Sequence, residues 1–232
     1  MRRPGIISLP TDDKSLKYRD FLHKVSAILK NGGVVVAPTD TVYGLLAHAQ
    51  KKKAISRVQN IKGRNIKKPM PVLVGNFKQA ERFGKFSLKS KKLVRKLWPG
   101  PYTVVVNGRE RMLLGAISPD GSIGLRIPKN KWLQDLIKIT GAPLVATSAN
   151  PASKKAAKTV GQAAKYFLNA QYKPDLFVDA GLISKRPSII IDCRVWPPII
   201  LRGRINVKLK AQTKPKKQQP RKQTPDKSAI RQ

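Results

Sequence analysis

Tyr18, Phe21, Leu22, Val25, Ile28 and Leu29 recur three and four positions apart, which places them on one face of a helix over 14–31. Gly32-Gly33 supplies its stop. The next four residues, Val34-Val35-Val36-Ala37, are a continuous apolar run and predict a buried strand. Ala54, Ile55, Val58 and Ile61 mark a second amphipathic helix, which delivers Lys62 and Arg64 just past its end. A short apolar strand follows at 72–74, then helix in two pieces over 77–97, broken by Trp98-Pro99-Gly100-Pro101. Residues 102–106 and 123–127 read as strands; Trp132, Leu133, Leu136 and Ile137 form a helical face; 144–147 returns as strand. The pattern closes with a helix around 160–167 and strands near 176–178, 188–192 and 199–202. Several strands are separated by too little chain for a helical crossover. The fold class is therefore α/β, one domain with a twisted sheet of mixed parallel and antiparallel strands flanked by helices. There is no internal repeat.

Composition narrows this picture. A chain of 232 residues with 41% hydrophobic content fits one domain with a sizeable core. Nothing approaches eighteen uninterrupted apolar residues, so no membrane span is expected. Arg2 and Arg3 precede no long apolar run, and Asp12 and Asp13 follow closely, which argues against a secretory signal. The single cysteine, Cys193, excludes an internal disulfide and fits a reducing, cytoplasmic setting. It closes an apolar strand and reads as a small buried hydrophobe rather than a catalytic thiol.

Charge changes the picture more. Forty-eight Lys and Arg stand against twelve Asp and Glu, a formal +36. A field of that sign attracts polyanions by counterion release, and RNA is the obvious one. A lysine bias that serves only solubility remains the alternative. From residue 206 the chain is rich in Lys, Arg, Gln and Pro with little to bury. This divides it into a domain over 1–205 and a disordered basic tail over 206–232. The tail reads either as an electrostatic arm for RNA or as a solvated end.

Candidate chemistry gathers in three polar segments. Pro38-Thr39-Asp40-Thr41-Val42-Tyr43-Gly44-Leu45 leaves the strand at 34–37, Lys62-Gly63-Arg64 leaves a helix, and Thr147-Ser148-Ala149-Asn150 leaves the strand at 144–147. Open α/β sheets bind ligands at strand ends, so the set suggests a substrate carrying phosphates and hydroxyls. Each segment alone is also an ordinary exit turn. Lysine supplies a point charge and arginine a planar fork, with Gly63 letting the backbone turn between them. Lys62 and Arg64 could equally be a solvated helix terminus. Asp40 could attract an amine or cap a helix. Arg126 and Arg202 sit at apolar strand ends, where an arginine needs a partner. Thr159, Ser188 and Asp192 read equally as caps or turn residues. His23 and His48 belong to no ligand-spaced cluster, no carboxylates form an obvious metal cage, and no GxxxxGK[ST] loop occurs.

Taken in order, PTDTVYGL, the helix into IKGR, KPMPVLV, LWPGPYTVVV, GLRIP, PLVATSAN and PSIIID cover roughly residues 20–203. This series resembles the YrdC-like threonylcarbamoyl-adenylate synthases. The resemblance implies one twisted α/β sheet with a concave basic groove. It implies synthesis of threonylcarbamoyl-adenylate and pyrophosphate from L-threonine, bicarbonate or carbon dioxide, and ATP, with Mg2+ carried by the phosphates. It implies that Lys62 and Arg64 are the catalytic, phosphate-holding pair and that Ser148, Asn150, Arg126 and Arg202 complete the ATP side. Thr39, Asp40, Thr41 and Tyr43 would then hold threonine. A separate transferase would load the group onto tRNA. The chain departs from the family pattern at Asn65, where proline is usual, at Pro151-Ala152-Ser153-Lys154, and at Ile189, where threonine is frequent. Two other readings stay open: a noncatalytic double-stranded RNA or tRNA-binding module on the same fold, and a related carbamoyl-adenylate activity such as that of the longer hydrogenase-maturation proteins.

Overall fold

A computed structural model describes residues 4–63, 70–109 and 116–205, with the backbone of 212 and 213. Its strands are β1 (Gly5–Ser8), β2 (Val34–Ala37), β3 (Gly44–His48), β4 (Val72–Leu73), β5 (Gly84–Lys85) and β6 (Tyr102–Gly108). They continue with β7 (Ser122–Arg126), β8 (Leu144–Ser148), β9 (Leu176–Asp179), β10 (Ile189–Asp192), β11 (Ile199–Arg202) and β12 (Gln212–Thr213). The helices are α1 (Leu16–Lys30), α2 (Lys52–Lys62), α3 (Phe77–Phe83), α4 (Leu88–Leu97), α5 (Lys131–Thr140) and α6 (Val160–Phe167).

Among the described residues the strands join one sheet in the order β1-β9-β2-β3-β8-β4-β7-β6-β10-β11-β12, with β5 on the far end of β6. The sheet is mixed, as the short connections require. β2–β3, β3–β8, β8–β4 and β6–β7 are antiparallel, while β2–β9, β4–β7 and β6–β10 are parallel. Four strands lie beyond the sequence-based expectation, among them β5, which splits the helical stretch expected over 77–97. β3 pairs back on β2 across the loop 38–43, β1 adds parallel to β9, and β12 adds parallel to β11 inside the stretch expected to be a tail. Arg64, Asn65 and positions 206–211 and 214–232 lie outside the described residues.

Local chemistry sets the helix ends. Ser15, Asn76, Ser87, Asn130 and Thr159 each accept a backbone N–H with their side-chain oxygen at a helix start, which answers one orphan donor per helix. Thr159 is thus a cap. Gly63 closes α2 in the left-handed region at φ 55°, where a β-carbon would strain the backbone.

Alternate residues of a strand face opposite sides, and the sheet uses its sides differently. One side carries Val34, Val36, Leu45, Ala47, Val145 and Leu125 against α2, α3, α4 and α6. The other carries Val35, Ala37, Leu46, Leu73 and Leu144 against α1 and α5, through Phe21, Val25, Leu29, Leu133 and Leu136. Truncating a fully buried residue such as Leu29 or Leu133 to alanine costs about 2–5 kcal/mol. Those two helices cover the sheet around β2 and β3. The same side runs on across β7, β6 and β10 toward a cavity. No helix of the described residues is long and apolar enough to cross a membrane.

Candidate functional site

Small residues fall where the sheet is uncovered. Gly44 on β3, Ala146 on β8 and Gly124 on β7 floor a cavity of about 430 Å³ together with Leu73, Val105 and Ile190. A β-carbon at Gly124 would come within 3.1 Å of the Thr103 methyl, and one at Gly44 within 3.3 Å of the Thr147 carbonyl oxygen and the Thr39 methyl. The volume suits a small-molecule ligand. The wall is polar: Thr39, Thr41, Lys62, Arg126, Ser148 and Asn150 line it, with Thr103, Ser188 and Arg202 on the β6–β10–β11 side.

Strand order explains the convergence. β3 begins where β8 ends, so Gly44 pairs with Ser148. Arg126 closes β7, and β4 lies between those two strands in the sheet. Ser188 immediately precedes β10, and Arg202 is paired with Ile190 at the end of β11. Residues about a hundred positions apart thereby share one end of the sheet.

Thr39 organises the loop between β2 and β3. Its hydroxyl oxygen accepts from the N–H groups of Thr41 and Val42 at 3.1 Å each and donates to the Val42 carbonyl at 2.6 Å. Its contact with the Thr41 hydroxyl, at 2.9 Å, fixes that second threonine at the cavity. Arg126 Nη1 donates to Thr41 Oγ1 at 3.3 Å and Nε to the Gly100 carbonyl at 3.1 Å. Its Nη2 forms a buried ion pair with Asp40. The other carboxylate oxygen of Asp40 accepts from Lys129 N–H at 2.9 Å. Asp40 is therefore neither a helix cap nor a wall of the cavity; it holds Arg126.

Lys62 is buried, 4% exposed, at the last turn of α2. Its ammonium donates to the carbonyls of Ser148 and Asn150 at 2.8 Å each and to Asn150 Oδ1 at 3.2 Å. These oxygens converge on the ammonium and fix where its charge stands. The Asn150 amide in turn donates to the carbonyls of Pro151 and Lys154, so this side chain clamps Lys62 and the turn 151–154 together. On the opposite wall, Arg202 donates to the Ser188 carbonyl and hydroxyl at 3.0 Å each, and Ser188 Oγ lies 3.0 Å from Thr103 Oγ1.

Tyr43 is not brought to the cavity. Its ring is fully buried, and its hydroxyl donates to the Gly181 carbonyl at 2.8 Å while accepting from Ala180 N–H at 2.9 Å. Burial, with Asp179 nearby, raises the phenol above its ordinary value. Asp192 is likewise remote, bound to Arg194, which also reaches Asp120 at 2.7 Å. Cys193 is 8% exposed, and burial pushes its thiol up to about 12, as fits a packed hydrophobe. Sequence reasoning passed over Thr103. Its only signal is a polar side chain at an inward position of the run Tyr102-Thr103-Val104-Val105-Val106.

Comparison with known proteins gives a consistent outcome. Residues 27–203 match the family of Sua5, YciO and YrdC, whose description reads telomere recombination. A Methanocaldococcus jannaschii homologue is 32% identical over 181 residues, covering 78% of this chain and 82% of its own. The threonylcarbamoyl-AMP synthase of Pyrococcus abyssi is 30% identical over 182 residues, 76% of this chain but only 52% of the longer enzyme. The crystal structure of Pyrococcus abyssi Sua5 complexed with L-threonine superposes with a TM-score of 0.77 at 27% identity, over 85% of this chain and 56% of that one. By sequence and by fold alike, the chain belongs to the Sua5/YciO/YrdC family.

Proposed function

We infer that this chain is an L-threonylcarbamoyladenylate synthase, a nucleotidyltransferase that forms threonylcarbamoyl-AMP and pyrophosphate from L-threonine, bicarbonate or carbon dioxide, and ATP. The observation that carries the reading is the fixed ammonium of Lys62, held by the Ser148–Asn150 segment, on the same cavity as the Thr41–Arg126 pair. The names of relatives about 30% identical support it.

The cavity divides by charge and shape. Lys62 and Arg64, with Ser148, Asn150 and Arg202, serve the triphosphate; Arg126, expected on the ATP side, instead joins Thr39 and Thr41 on the threonine side because it bonds Thr41, with Asp40 acting through it. The amine of threonine adds to carbon dioxide and gives up a proton to form a carbamate. A carbamate oxygen then attacks the α-phosphorus as the bond to the β-phosphate oxygen breaks, and pyrophosphate leaves. The carbamate is itself the nucleophile. The protein therefore supplies alignment of two anions and positive charge toward the leaving group. The wall offers hydroxyls, amides and cations, while both oxygens of Asp40 are occupied. That donor set suits Mg2+ that arrives on the phosphates of ATP rather than in a carboxylate cage.

The expected concave basic groove corresponds in this reading to the cavity and its rim of Lys62, Arg126 and Arg202. The +36 charge favours RNA close by, with the basic tail over 206–232 as an arm beyond the 1–205 domain. A separate threonylcarbamoyl transferase acting on tRNA in the cytoplasm would consume the product. The test is pyrophosphate release from ATP with threonine and bicarbonate together and each omitted in turn. Release that requires both supports the synthase; release indifferent to threonine would remove it.

A further inference from the structure

The far ends of β6 and β10, away from the cavity, carry a second surface of distinct chemistry. There Lys85 on β5 and Lys89 at the start of α4 are exposed, and α4 runs back toward the start of β6 with Lys92, Arg95 and Lys96 turned outward. Lys89, Lys92 and Lys96 fall at helical positions i, i+3 and i+7, a single stripe about 10 Å long. Lys91, by contrast, is paired with Glu81 at 2.7 Å. At the start of the stripe the loop between β10 and β11 presents Trp196, 46% exposed, with Lys89 Nζ 5.7 Å from the centroid of its ring. Trp196, Lys85, Lys89 and Asn107 line a pocket of about 450 Å³. Arg194 lies there too, but Asp120 and Asp192 take up its charge.

A solvated face accounts for lysines and not for a half-exposed indole. The other two tryptophans, Trp98 and Trp132, are 9% and 5% exposed. An aromatic face beside a line of cations is the arrangement that binds single-stranded nucleic acid, with bases stacked on the ring and phosphates along the charges. A protein partner fits less well, because lysine is depleted at the core of protein interfaces. We propose that α4 and the β10–β11 loop form a docking site for an unpaired stretch of nucleic acid, with a base on Trp196 and the backbone along Lys85, Lys89, Lys92 and Lys96. The site is independent of the synthase reading, since α4 packs through Leu93, Val94 and Leu97 on the side of the sheet opposite the cavity.

The test uses the full chain with a ten-nucleotide oligouridylate, an RNA duplex of the same length, and heparin as a polyanion without bases. Oligouridylate should quench the tryptophan emission and bind more tightly than the duplex, whose bases are not free to stack. Trp196→Leu should weaken oligouridylate roughly 5- to 150-fold, Trp196→Phe should retain most of the affinity, and heparin should respond to neither. The triple variant K89A/K92A/K96A should flatten the dependence of log affinity on log salt by about 2. Pyrophosphate release should stay at the parental rate in each variant. Equal affinity of Trp196→Leu and parent, duplex binding as tight as oligouridylate, or an unchanged salt slope would each overturn the proposal.

Discussion

Asp40 and Arg126, 86 positions apart, form an ion pair whose side chains are only 5% and 6% exposed, at the edge of the cavity. The carboxylate is thereby committed to aiming a guanidinium, which also reaches Thr41 and the Gly100 carbonyl. Breaking one side of a buried pair leaves the other charge desolvated and uncompensated.

Asp40→Asn should therefore lower stability by about 3 kcal/mol and raise the KM for threonine well above tenfold, with a smaller effect on ATP. The double variant D40N/R126Q should lose less stability than the two single losses combined, because the pair is one unit. Urea unfolding and steady-state pyrophosphate release read both quantities. Strict additivity would mean that the pair does not couple as the geometry says.

Lys62 makes a sharper demand on shape. The Ser148 and Asn150 oxygens that converge on it within 3.2 Å suit a compact point charge rather than a planar fork. Lys62→Arg should consequently fail to rescue turnover, behaving like Lys62→Ala with a loss on the order of a hundredfold or more. Both variants should fold, at a cost of about 1–3 kcal/mol for the lost Lys62 hydrogen bonds, since the Ser148 carbonyl keeps the Asn150 N–H at 2.9 Å. Full activity in Lys62→Arg would remove the lysine from the phosphate role.

These relationships differ in how far the chain discloses them. β2 and β11 coincide with the apolar runs at 34–37 and 199–202, and α1, α2, α5 and α6 follow apolar spacing, because local burial patterns write themselves into the sequence. β3 was hidden: Gly44-Leu45-Leu46-Ala47-His48 follows a polar loop directly and becomes a strand only by pairing with β2 and β8. The motifs single out Lys62, Ser148 and Asn150, and the fold brings all three to one cavity. They could not say that Asp40 spends itself on Arg126, that the Asn150 amide binds its own turn, or that Tyr43 faces away. Those outcomes depend on side-chain direction at contacts made across long stretches of chain, which residue identity leaves open.

Tyr43 separates anchoring from substrate binding. Its hydroxyl satisfies Ala180 N–H and the Gly181 carbonyl, both near the end of β9. Tyr43→Phe should cost about 1–3 kcal/mol in unfolding free energy while the KM for threonine holds within twofold. A KM that rises with stability intact would put the hydroxyl back at the substrate.

Gly124 tests the cavity floor. Gly124→Val projects methyl groups toward Thr103, where even a β-carbon stands at 3.1 Å. Turnover should fall at least tenfold, while stability changes by no more than about 1–3 kcal/mol, since strand propensity partly offsets the crowding. Thermal unfolding beside pyrophosphate release distinguishes a filled site from a broken fold. Parental kinetics in a folded Gly124→Val variant would show that substrate lies elsewhere.

His48 gives the fold a pH dependence of its own. It ends β3 half-buried, and its Nδ1 accepts from Gln50 N–H at 3.2 Å, which requires the ring to be neutral with its proton on Nε2. Burial first, then Lys51 and Lys30, lower its affinity for a proton below the ordinary value of 6.5. Below 6.5 and above the depressed native value, the unfolded chain binds more protons than the folded one, so stability rises with pH across that window and is lost as pH falls through it. Asp120 and Asp192 also lose stabilisation on acidification, but their native affinities lie below the ordinary carboxylate value of 3.8, Asp120 at about 2, so their losses fall in a lower range. Urea midpoints between pH 5 and 7 should thus decline on acidification in the parent and flatten in His48→Gln, which cannot take up the proton. An identical slope in the two proteins would assign the loss to other groups.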